Sequence, residues 1–179
     1  MRIEDGTGSG YAVEVNEHNQ LVVHSITVPH ALYTNVHNGE AYNTLINQTP
    51  SGIGSCFFYI KNNSDDYLVL TSISLYAASA TGISIKIGDV GTPVGGTVNT
   101  PANLNAGSNG VADITCLEGS EITGLSGGVT VHDFRVTEAQ NRWILSDIGI
   151  VIPKNKTLAL YAATGGVDVR VVLGFYFHT

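Results

Sequence analysis

The sequence predicts an all-β chain folded as a single two-sheet β-sandwich, and three observations carry that expectation. Apolar residues recur at every second position in run after run, as strands require when one face meets a core and the other meets solvent. Gly, Asn, Asp, Ser and Pro cluster between those runs, where turns need positive φ or side chains that bond their own backbone. Helix signals are sparse. The best is Thr137-Glu138-Ala139-Gln140, which has capping-box spacing but is followed by too few residues for more than one short turn.

Taken in order, the first 28 residues differ from the rest. Asp5-Gly6-Thr7-Gly8-Ser9-Gly10 precedes two β-like runs, Tyr11 to Val15 and Leu21 to Val28, separated by Asn16-Glu17-His18-Asn19-Gln20. Residues 1–28 are therefore expected to form an N-terminal arm or hairpin, and residues 29–179 the sandwich body. An isolated two-stranded hairpin is marginal in water and gains stability by adding to another sheet, so the arm implies a partner surface. Within the body, Cys56 to Lys61 and Tyr67 to Tyr76 flank Asn62-Asn63-Ser64-Asp65-Asp66 and read as a hairpin. Ile83, Ile85 and Ile87 alternate with Ser84 and Lys86. Two longer loops follow, Asp89 to Thr97 and Asn105 to Gly110.

Further breaks fall at Gly127-Gly128, Pro153-Lys154-Asn155-Lys156 and Gly165-Gly166. Between them, Ile148, Ile150 and Ile152 form one apolar row, and Leu158, Leu160 and Ala162 another. The clearest strand is the last, where Val167, Val169, Val171, Leu173, Phe175 and Phe177 share a face opposite Asp168, Arg170, Tyr176 and His178. About ten strands of ordinary length suffice for two packed sheets, with a jelly roll the leading topology.

Composition bounds the function. A chain of 179 residues with 43% hydrophobic and 13% charged content buries a substantial core in one domain. Eight Lys and Arg against fifteen Asp and Glu give a formal charge of −7, which repels phosphate backbones, so nucleic acid is not an expected partner. No apolar run approaches the ~20 residues that span a bilayer, and no membrane association is expected. Met1-Arg2-Ile3-Glu4-Asp5-Gly6 carries no apolar signal region, which points to assembly in the cytoplasm. Cys56 and Cys116 match no zinc or redox spacing and read as small buried hydrophobes, their pairing left open.

Candidate chemistry fails on context. Gly6, Gly8 and Gly10 lack the strand, helix and later glycine of a dinucleotide loop. Four of the six histidines (His18, His24, His30, His37, His132 and His178) crowd into twenty positions, yet no HExxH-like spacing occurs, and they read as surface or partly buried side chains. His132 and Asp133 are neighbours on a strand and so point to opposite faces, and no nucleophile elbow accompanies them. Asp65-Asp66 sits in a turn, and Glu118 and Glu121 flank a glycine, which suits solvated loop charge better than a glycosidase pair. The glycosylation sequons at Asn47, Asn62 and Asn155 carry no meaning without a secretion signal. No catalytic residue, cofactor or metal is expected. Tyr33, Tyr42, Tyr59, Tyr67, Tyr76, Tyr161 and Tyr176 suit either a sugar-stacking surface or a protein interface.

Several stretches carry a resemblance: Ile3-Glu4-Asp5-Gly6-Thr7-Gly8 with Ala12, Val15-Asn16-Glu17 and Asn19-Gln20-Leu21, then Gly39-Glu40-Ala41-Tyr42, Phe58-Tyr59-Ile60-Lys61-Asn62, Ile87-Gly88-Asp89 to Gly96, and Ile122 to Gly128. Together the chain resembles small virion proteins of tailed bacteriophages. That resemblance implies a structural protein on the capsid exterior, a decoration or cement protein that binds the major capsid protein, with a homotrimer favoured. On that reading Ile3, Tyr11, Val13 and Val15 are the expected shell or subunit contacts. Two rival expectations stand beside it: a receptor- or glycan-binding module of a tail fibre or baseplate, and a small cupin-like or glycan-cleaving enzyme.

Overall fold

The computed structural model of the chain describes residues 29–137 and 142–178. Among these residues there are one helix, α1 (His30–His37), and twelve strands: β1 (Ala41–Gln48), β2 (Cys56–Asn62), β3 (Tyr67–Ala77), β4 (Thr81–Ile87), β5 (Val90–Val94), β6 (Thr97–Val98), β7 (Ala102–Asn103), β8 (Ile114–Ser126), β9 (Val129–Val136), β10 (Arg142–Ile152), β11 (Thr157–Ala162) and β12 (Val169–His178). Two antiparallel sheets pack face to face. The first runs β10-β3-β12-β1-β7 and the second β5-β8-β2-β11-β4-β9, with β6 alongside β8.

The pairings reduce to a simple rule. β1 pairs with β12, β2 with β11, β3 with β10 and β4 with β9, every pair antiparallel. The chain from β1 to β4 thus lies against the chain from β9 to β12 as one long doubled ribbon. Rolling that ribbon up adds the ladders β12 to β3 and β11 to β4, which closes two four-stranded layers in the manner of a jelly roll. Residues 90–126 are inserted at the ribbon's tip, between β4 and β9, and β8 from this insertion extends the second sheet along the free edge of β2.

The alternating runs pack as their periodicity predicts. Val169, Val171, Leu173, Phe175 and Phe177 are buried against Leu68, Leu70, Ile73 and Leu75 of the same sheet and Phe57, Phe58, Ile83, Ile85 and Leu160 of the other. β2 departs from alternation because both of its flanking ladders skip Phe57. The resulting bulge turns Phe57 and Phe58 into the same core, so two consecutive phenyl rings are fully buried.

Three expectations change in the structure. β2 and β3 do not form a hairpin: each pairs within a different sheet, and residues 63–66 turn a corner of the sandwich. Asn62 makes that corner. Its buried side-chain amide donates to the carbonyls of Asp66 (2.7 Å) and Ile152 (2.9 Å), while its oxygen accepts from the Ser64 amide (3.0 Å). The Asp89 to Thr97 loop contains the short strand β5, paired with the far half of β8. The helix lies at 30–37 and not at the capping-box sequence, where Thr137 is non-helical and residues 138–140 fall outside the described residues.

Candidate functional site

α1 begins where the sequence segment 1–28 joins the body. Pro29 provides its first accepting carbonyl, taken by the amides of Leu32 (2.9 Å) and Tyr33 (3.0 Å), and proline is suited to a helix start because its φ is fixed. The helix ends on Gly39 at φ +66°, a left-handed position that glycine occupies without strain, with the amides of Asn38 and Gly39 both donating to the Thr34 carbonyl. The loop at 103–110 backs this end: Asn103 donates to the Gly39 carbonyl (2.6 Å) and Asn105 to the Asn35 carbonyl (3.0 Å).

Thr34 is the buried residue of the helix. Its larger apolar side chains face outward, Leu32 at 51% exposure, Tyr33 at 52% and Val36 at 63%. Beside them runs a file of rings. Tyr33 lies 4.3 Å from His37 between ring centroids, His30 lies 5.1 Å from Tyr176, and His30 and His178 meet edge to face at 4.8 Å. The closest polar contact in this file is between His30 Nε2 and His178 Nδ1, 3.2 Å apart. An amphipathic helix normally buries its apolar stripe, so a helix that presents Leu32, Tyr33 and Val36 to solvent is a surface suited to contact.

A second region lies on the outward face of the second sheet. Leu117, Ile122 and Leu125 of β8 cover Cys56, Tyr59 and Ala159, so that β2 and β11 are buried on both sides. Asp89 is buried there. Its carboxylate accepts from the Gly128 amide (3.0 Å) and the Tyr161 hydroxyl (3.1 Å), and its backbone carbonyl accepts from the Thr157 hydroxyl (2.8 Å). Lys86 Nζ sits 4.1 Å above the Tyr161 ring. Burial, together with the neighbouring Cys56 and Asp89, pushes the Tyr161 phenol up. The Asp89 carboxylate, the Tyr161 and Thr157 hydroxyls and the Lys86 ammonium in this cluster are thus each tied to a structural partner.

The cysteines resolve plainly. Cys56 belongs to this outer cluster and Cys116 to the central core; both are buried and free. Burial pushes each thiol up to about 12, which removes the thiolate that nucleophilic or redox chemistry needs. His132 stacks on Phe134 at 5.6 Å, while Asp133 faces the other way and accepts from Ser84 (3.2 Å), so the two diverge as their adjacency predicts. Asp65 pairs with Lys154 at 2.6 Å on the surface, and Glu121 accepts from Ser51 (2.9 Å). Glu118 lines a groove with Asn43, Leu45, Val98 and Asn99, and its buried Oε2 has no hydrogen-bond partner among the described residues.

Of the seven tyrosines singled out from the sequence, Tyr42 and Tyr59 are buried, whereas Tyr33 and Tyr67 are the ones most open to solvent. Ile3, Tyr11, Val13 and Val15 lie outside the described residues, as do His18 and His24. Among the described residues no group of three or more His, Cys, Asp or Glu side chains converges, and no helix is long and apolar enough to cross a membrane. The helix surface was missed from the sequence because HALYTNVH has neither a capping box nor an inward apolar stripe. Pro29 and Gly39, ten residues apart, were its only local signals. No protein-family model matches the chain, and no curated protein is detectably similar to it in sequence.

Proposed function

We propose that this chain is a non-enzymatic structural protein of a bacteriophage particle, a cement protein that decorates and stabilises the capsid exterior. On this reading it assembles in the host cytoplasm as a homo-oligomer, a trimer by preference, and binds the major capsid protein. The observation that carries the proposal is the outward apolar side of α1, Leu32, Tyr33 and Val36, at the point where residues 1–28 enter the body. On this reading the docking face combines the helix surface with Ile3, Tyr11, Val13 and Val15 of the segment that precedes it in sequence. The resemblance to small virion proteins of tailed phages supports the same reading. A rolled ribbon with tightly packed layers is a body suited to bearing load.

Quantitative mass spectrometry of purified particles tests the role. Hundreds of copies, in fixed ratio to the major capsid protein, are expected. A few copies per particle overturn the cement role and favour a receptor- or glycan-binding module of a tail fibre or baseplate, which glycan-array binding then checks. The docking face has its own test. Full-length protein carrying Tyr11→Ser, Val13→Ser and Val15→Ser, or Leu32→Ser and Val36→Ser, is expected to fold but to bind poorly to shells lacking the protein; normal binding by both removes the proposed face.

A further inference from the structure

We propose that His30 and His178 form a binding site for a late divalent transition metal, Zn²⁺, Cu²⁺ or Ni²⁺, with water completing the coordination. The inference is independent of the virion reading. His30 is the first residue of α1 and His178 the last of β12, so 148 positions separate them in sequence, and no linear spacing pattern reveals the pair.

The separation of the two nitrogens matches that of two ligands on one ion. Zinc holds histidine nitrogens at about 2.0–2.1 Å, so two imidazoles at tetrahedral angles place their nitrogens about 3.3 Å apart. Here Nε2 of His30 and Nδ1 of His178 stand 3.2 Å apart, with the rings edge to face. Both side chains are exposed, so an ion has open access.

The two residues are also positioned by separate elements. His30 is fixed by the helix start and by ring contacts to Tyr33 and Tyr176. The backbone of His178 is held by the ladder of β12 against Tyr67 of β3, which sets where its side chain starts. A neutral hydrogen bond between exposed rings contributes little, because water competes for both nitrogens. Holding two imidazole nitrogens together in advance, by contrast, removes the ordering cost that a flexible pair meets on binding an ion. Imidazole is a ligand type that zinc, copper and nickel favour, and a formal charge of −7 draws cations toward the surface. An ion bound here clips the start of α1 to the end of β12.

The test is calorimetric titration of tag-free, full-length protein, stripped with chelator, using zinc chloride alone. One site per chain with micromolar affinity is expected, together with a zinc-dependent rise in melting temperature. His30→Gln and His178→Gln should each weaken binding at least tenfold and abolish that rise, while melting as the parent does without metal, which shows that they fold. The paired variant His18→Gln/His24→Gln should bind as the parent does. Absence of saturable binding, parental affinity in either single variant, or loss of binding only in the His18/His24 variant overturns the site.

Discussion

Replacing Asn62 by leucine keeps the side-chain volume close to native and removes all three of its hydrogen bonds. The Ile152 carbonyl is buried, so losing its donor incurs the full penalty of an unpaired group, about 1–3 kcal/mol. The Asp66 carbonyl and Ser64 amide lie in a partly exposed turn, where water recovers part of each loss. The expected total is about 2–5 kcal/mol, a large share of a typical domain's stability. With a urea m-value in the usual range for small proteins, the unfolding midpoint should fall by about 1–2 M with m unchanged.

Asn62→Asp carries a second signature. The amide that faced two carbonyl oxygens becomes a carboxyl, and burial beside those oxygens raises its folded-state pKa above the unfolded value near ~3.9. A raised acid means that the folded state holds its proton more tightly. The variant therefore has its greatest relative stability below about pH 4 and loses it as pH rises toward the folded-state value, beyond which the loss is constant. Urea unfolding of parent, Asn62→Leu and Asn62→Asp across pH 3 to 8, on the order of one titration per unit, measures both effects. A leucine variant with the parental midpoint, or an aspartate variant whose deficit ignores pH, refutes the assignment of Asn62 as the clamp of this corner.

Other expectations follow from the packing. Leu173→Ala and Phe175→Ala each remove a buried side chain of the central strand and should cost about 2–5 kcal/mol in denaturant unfolding. Both thiols should resist a chromogenic disulfide reagent at pH 8 in the native protein, well below the value of about 12 to which burial pushes them, and react at once after unfolding. Gly91 sits at φ +117°, and a Cβ there runs into the Gly124 carbonyl across the ladder. Gly91→Ala should thus cost about 1–3 kcal/mol, with hydrogen exchange accelerated first in β5 and the far half of β8.

Much of the body was legible because alternation and turn chemistry are local. β12 and the isoleucine row of β4 were readable residue by residue, and so was the turn at Pro153 to Lys156, where Asn155 takes φ +62°. What was not legible depends on partners distant in sequence. The run from Cys56 to Lys61 looks like the first arm of a hairpin because a short polar turn follows it, yet the hydrogen bonds of β2 go to β8 and β11. The Phe57 bulge is invisible without knowing that both neighbouring ladders skip it. Of the residues in the proposed docking face, Tyr11, Val13 and Val15 have a strand pattern in the sequence, whereas the exposed stripe of α1 inverts the usual inward pattern. The His30–His178 pair exists only because the ribbon brings the two ends of the body together.

That doubled ribbon also bears on when the protein acquires its shape. β12 comes after every other described strand in the sequence and lies in the middle of the first sheet, between β1 and β3. While it is still inside the ribosome, β1 has, among the described residues, only the two-residue β7 to pair with, and β3 lacks one of its two described neighbours. The tip, β4 with β9, joins residues much closer in sequence and is the natural place for zipping to begin. Closure at the open end must wait until β12 has left the ribosome, and ladders this distant in sequence place folding in the slow, millisecond-to-second class. A nascent chain stalled before β12 emerges should therefore remain sensitive to protease along β1, and emergence of Val169–His178 should switch that sensitivity off in a single step.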